Sequence, residues 1–96
     1  MGAATTTEKP VADSATAARL EDLFEVILHN DDHNTMEHVV LCLRRVFRHP
    51  ESLAVKIMLE AHTRGCAIAQ VEPETPALRH RDQLRSYGLS ATTQKV

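Results

Sequence analysis

The 96-residue chain has no tryptophan and only three aromatic residues, Phe24, Phe47 and Tyr87. That scarcity removes the stacking platforms on which single-stranded nucleic acids are held. Positive charge is not in excess either: 11 Lys and Arg against 13 Asp and Glu leave a formal charge of −2, so no general field draws the chain to a phosphate backbone or an anionic membrane. No run approaches the roughly 18 apolar residues of a membrane span. Residues 1–7 carry neither the basic stretch nor the apolar core of a secretory signal. The expectation is a cytoplasmic protein with no nucleic-acid and no membrane partner. Cysteine is sparse, and Cys42 and Cys66 lie in apolar stretches without CxxC spacing, which predicts two buried thiols rather than a disulfide framework.

What is present is ordinary for a globular protein, with 43% apolar and 25% charged residues, and the length suits one domain with one modest core. Residues 1–21 are mostly Ala, Thr and Ser with scattered charges, too poor in large apolar groups to offset the entropy of ordering. They are expected to form a flexible arm, and 22–96 the folded core. In that core Phe24, Val26 and Leu28 alternate with Glu25, Ile27 and His29, the period of a half-buried strand. Asn30-Asp31-Asp32-His33-Asn34 is a turn by chemistry. Asn34 and Glu37 have capping-box spacing, which predicts a helix over 35–49 with Met36, Val39, Val40, Leu43, Val46 and Phe47 on its apolar face.

Pro50 and Gly65 bracket a second helix, Glu51–Arg64, with Ala54, Ile57, Met58 and Ala61 as its core stripe and His62 on nearly the same side. A strand over 66–71 follows, ending at a Glu72-Pro73-Glu74 break. Thr75 and Pro76 resemble the cap and first residue of a third helix reaching Gly88, and 91–96 have the β-branched content of a terminal strand. The order β-α-α-β-α-β predicts an α+β fold: a small two-layer sandwich, three helices on a short antiparallel sheet.

The densest polar cluster is the turn from Asn30 to Asn34. Two carboxylates and an amide oxygen there make an acceptor-rich cup suited to an ammonium group such as a peptide's α-amine. The same residues also suit a plain solvated turn with a helix cap, and the residues alone leave that open. His29, His33 and His38 lie near the two Asp residues, yet no CxxC, HExxH or calcium-loop pattern occurs, so neither metal nor other cofactor is expected. No catalytic residue is assigned, because neither cysteine has the setting of an activated nucleophile. If the first two helices pack together, Met36 and Met58 line a pliable apolar pocket with His62 and the Asn30 turn at its mouth.

Phe24-Glu25-Val26-Ile27-Leu28-His29-Asn30-Asp31-Asp32, then Met36-Glu37 with Val39-Val40, and later Met58-Leu59-Glu60-Ala61-His62-Thr63-Arg64-Gly65 together resemble the ClpS family, adaptors of the bacterial and plastid N-degron pathway. The resemblance implies a non-enzymatic, monomeric adaptor that binds hydrophobic N-terminal residues and delivers their proteins to a Clp-type AAA+ unfoldase of the ClpA or ClpC class. It implies an α-amine site at Asn30, Asp31 and His62 and a side-chain pocket of Leu28, Met36, Val39, Met58 and Ala61; from the same polar turn, Asp32 is added to the amine site and Asn34 to the pocket as candidates. Met36 stands at the family's gatekeeper position, which disfavours β-branched residues and implies N-terminal Leu, Phe, Tyr or Trp as targets. Family members usually carry an aromatic residue, Thr and Pro where this chain has His33, Asn34 and Thr35, and Phe where it has His38. In the third helix an acidic-Val-Ala-Glu-Thr-Lys run is replaced by Thr75-Pro76-Ala77-Leu78-Arg79-His80. These departures imply a divergent member with a more polar pocket rim. The alternative reading is a generic α+β interaction domain without an amine site.

Overall fold

Strand β1, Leu23–His29, turns Val26 and Leu28 inward as its period of two requires, and both are almost wholly buried. In the computed structural model, which describes residues 22–96, β1 is the central strand of an antiparallel sheet. The expected arm over 1–21 lies outside the described residues. β2, Cys66–Pro73, and β3, Ser90–Lys95, flank β1 in the order β2-β1-β3. Three helices complete the expected β-α-α-β-α-β order: α1, Met36–Phe47; α2, Glu51–Arg64; and α3, Glu74–Ser86.

The core lies between the helices and the sheet face formed by Val26, Leu28, Ala67, Ala69 and Ala91. The small side chains of β2 and β3 let the helices approach closely, and Leu43, Ile57 and Leu84 fill the space from the helical side. Full burial of a leucine such as Leu43 or Leu84 contributes about 1.5–3 kcal/mol. The other sheet face leaves Cys66, Ile68 and Thr92 exposed. Cys66 is therefore not the buried thiol expected from its apolar neighbours, since it falls on the outward phase of β2.

Two boundaries differ from the sequence expectation. α1 is capped by Thr35, whose hydroxyl accepts from the His38 N–H at 3.1 Å, and not by Asn34. β2 does not break at Glu72-Pro73-Glu74: it runs to Pro73, paired with Leu23, and α3 begins at once with Glu74, so Pro73 rather than Thr75 is its cap. β2 also carries a bulge. Val26 pairs with Gln70 but Ile27 with Ile68, which leaves Ala69 as the extra residue. Its carbonyl accepts from His49 Nε2 at 2.7 Å.

Beyond the bulge the alternation changes phase. Val71 faces solvent, and Glu72 turns inward to meet His80 Nδ1 at 2.6 Å from its Oε2. Phe47 stacks on His49 and meets the edge of His80, closing this cluster.

Candidate functional site

The end of β1 and the end of α2 are joined by the chain's own punctuation. Gly65 adopts φ 95, where a side chain is strained, and its N–H closes α2 on the Ala61 carbonyl at 2.8 Å. The Gly65 carbonyl in turn accepts from the Asn30 N–H at 2.9 Å. This bond brings the Asn30 turn beside the last turn of α2, which carries His62.

Within the turn, Asp31 does the holding. Its Oδ1 accepts from the backbone N–H groups of His33 and Asn34, both at 2.9 Å, and the Asn34 side-chain amide spans Oδ1 and Oδ2 at 3.1 Å each. Partial burial pushes the Asp31 carboxyl up, but the Asn34 amide, the two backbone N–H groups and the charge of His33 outweigh it and hold it below its ordinary value. The Asn34 amide also donates to the Gly88 carbonyl at 2.9 Å, and His38 Nε2 donates to the Tyr87 carbonyl at 2.9 Å. Asn34 and His38 thus tie the turn and α1 to the loop after α3, while Thr35 caps α1.

A cavity of about 230 Å³ opens between the turn, α1 and α2. It is smaller than the ~300–1,000 Å³ of pockets for drug-sized ligands, a size that suits one residue rather than a long segment. Asn30, Asp31, Asp32, Asn34 and His62 line its polar side, and Leu28, Met36, Val39, Met58 and Ala61 its apolar side. The structure thus brings all ten residues singled out in the sequence to one place. Leu28, Met58 and Ala61 are buried and form the floor, whereas Met36, 45% exposed, stands at the edge.

His29 also lines the cavity and was missed in the sequence. The strand alternation assigned it to the outward face, and only its pairing to Thr92 Oγ1 at 2.7 Å, 63 positions away, fixes its ring. Among the described residues no side-chain partner occupies Asn30, Asp32 or His62, so their acceptor atoms are available to a ligand.

Among the described residues the remaining reactive groups do not form a second centre. Cys42 Sγ is 3.5 Å from His38 Nε2, but burial raises the thiol's pKa more than the Arg45 charge lowers it, so it stays protonated and a poor nucleophile. Among the described residues no three His, Cys, Asp or Glu side chains gather as a metal site, and no helix is long and apolar enough to cross a membrane.

Residues 19–92 match the family model described as the ATP-dependent Clp protease adaptor protein ClpS. The ATP-dependent Clp protease adapter protein ClpS of Synechococcus elongatus is 37% identical over 90 residues, 93% of each chain. The chloroplastic adapter CLPS1 of Chlamydomonas reinhardtii is 35% identical over 95 residues, 98% of this chain and 59% of its own length. Among solved structures, Agrobacterium tumefaciens ClpS2 bound to L-phenylalaninamide matches with a TM-score of 0.76 and 29% identity, over 79% of this chain and 99% of that one.

Proposed function

Since the chain belongs to the ClpS family of adaptors for ATP-dependent Clp proteases, we propose that its cavity captures the N-terminal residue of a substrate protein and presents that protein for degradation. Members of this family are adaptors and not enzymes, so the chemistry required is recognition. The observation that carries the reading is the division of one small cavity into an acceptor-lined side with unengaged groups and an apolar side.

The α-ammonium donates to the Asn30 side-chain oxygen, the Asp32 carboxylate and an unprotonated ring nitrogen of His62. Asp31, largely used by the turn, fixes the direction of these groups and adds the spare lone pairs of Oδ2 as counter-charge. The first side chain enters between Leu28, Met36, Val39, Met58 and Ala61, with Asn34 at the border. An unbranched Cβ passes the Met36 edge most easily, which favours Leu, Phe, Tyr and Trp. L-phenylalaninamide, the molecule bound to ClpS2, has such a side chain and a free α-amine, in support of the same assignment. The partner is a Clp-type AAA+ unfoldase of the ClpA or ClpC class, engaged by a monomeric adaptor in the cytoplasm.

Acetylation removes the charge and leaves acceptors unpaired, at about 1–3 kcal/mol each when they are buried by the ligand. Titration with a labelled peptide beginning with Phe is therefore expected to give binding that its acetylated twin loses by at least about tenfold. Equal affinities would sink the reading.

A further inference from the structure

The cavity is the first of three hollows strung along α1. A second, of about 530 Å³, shares Met36 and Met58 with it and continues over Val40, Leu41 and Val55. A third, of about 440 Å³, shares Leu41 and Arg44 with the second and is bordered by Arg45 and Arg48. The track begins apolar and ends with three arginines in five positions, on a chain whose formal charge is −2. Leu41 is 46% exposed beside them.

These arginines are not spent on the fold. Arg44 meets Glu51 at 3.9 Å, but both side chains are half or more exposed, and such pairs are worth little. Arg45 and Arg48 have no ion pair among the described residues. Glu37 and Glu51 border the middle hollow, so the positive end of the track is confined to the last turn of α1 and the residue after it.

From Met36 to Arg48 the helix rises about 18 Å, which an extended peptide at about 3.3 Å per residue covers with five or six residues. We infer that the groove along α1 holds the substrate segment that follows the N-terminal residue, and that Arg44, Arg45 and Arg48 select acidic side chains at about its fifth to seventh positions. This rests on the cavity's reading as the site of the N-terminal residue. The occupant is the substrate's own chain, because the groove is continuous with that cavity through Met36 and Met58.

The test uses labelled peptides beginning with Phe that carry either acidic residues or their amides at positions five to seven, each free or acetylated, against the full chain and its R44Q/R45Q/R48Q variant. In low salt the acidic free peptide is expected to bind the wild type about three- to tenfold tighter than its amide twin. The difference disappears in the triple variant, which keeps its affinity for the amide peptide. In the wild type it also shrinks once salt reduces the Debye length to about 3 Å near 1 M, a readout that stands even if the variant fails to fold.

Equal binding of the acidic and amide peptides by the wild type, with acetylated peptides rejected, overturns this inference and leaves the cavity reading intact. Acetylated peptides that bind as well as free ones overturn both. An acid preference that survives the triple variant or high salt overturns the role of the arginines. A variant that loses the unfoldase while the wild type binds both peptides alike makes the patch a partner surface and overturns the inference too.

Discussion

At Glu72 and His80 an acid and an imidazole lie with only 10% and 18% of their side chains exposed and hydrogen-bond each other at 2.6 Å, with Phe47 against the ring. At the mouth of the cavity Asp32 and His62 are exposed and have no partner among the described residues. The same residue types therefore serve packing in one place and offer recognition in the other. Burial decides which: a buried polar group must be paired, whereas an exposed one exchanges its water for a ligand. Cutting the first group should move stability and leave binding alone, and cutting the second should do the reverse.

The largest effect is expected at the buried pair. Glu72→Ala leaves the His80 ring unpaired beside Phe47, whichever partner holds the proton, at about 2 kcal/mol. A loss of that size lowers the melting temperature by roughly 10 °C in a domain this small. Thermal melts should show it, with affinity for a Phe peptide unchanged. A variant that melts with the wild type would reduce the pair to a mere contact. His62→Ala is the counterpart: affinity should fall about tenfold, roughly 1.4 kcal/mol, while the melt stays within about 0.5 kcal/mol. If His62→Ala destabilises as much as Glu72→Ala, the contrast between the two sites is broken.

How much of this was legible in the sequence follows the range of the forces involved. β1 and α2 were readable because alternation, Pro50 and Gly65 act locally, and α2 has the expected bounds. Periodicity outlined only part of the cavity, Met36 and Met58 beneath His62 and the Asn30 turn, and only on the condition that the first two helices pack together. The set of ten was completed by the resemblance of two motifs, and what joins those motifs in space is the Asn30–Gly65 bond between segments far apart in the chain. The misplaced cap has the same origin: Asn34 has capping chemistry, but its amide N–H groups anchor the side chain to Asp31 and to the Gly88 carbonyl, 54 positions on, and the oxygen that accepts from the first turn of α1 is the Thr35 hydroxyl. Glu72 resembled part of a turn because nothing local announces a bulge at Ala69 or a histidine eight residues later on α3. Local signals located the elements, and long-range partners decided which polar residues they buried.

The smallest effect sharpens the contrast within a single turn. Asp31 is engaged by four donor contacts and Asp32 by none among the described residues, so Asp31→Asn and Asp32→Asn should both weaken peptide binding, and Asp31→Asn should also alter the response of stability to acid. Partial burial raises the Asp31 carboxyl, and the Asn34 amide, the backbone N–H groups and His33 more than reverse this, so it lies below its ordinary value when folded. A carboxyl depressed in the folded state binds its proton more readily when the chain unfolds. Its stabilisation is therefore complete above the unfolded-chain value, near 3.9, and is lost as pH falls through the lower folded value. Asp31→Asn has no such group to titrate. Melts of the wild type and Asp31→Asn from pH 6 to about 2.5 should show the gap between them narrowing below about pH 4. Parallel curves for the two proteins would mean that the Asp31 carboxylate does not hold the turn.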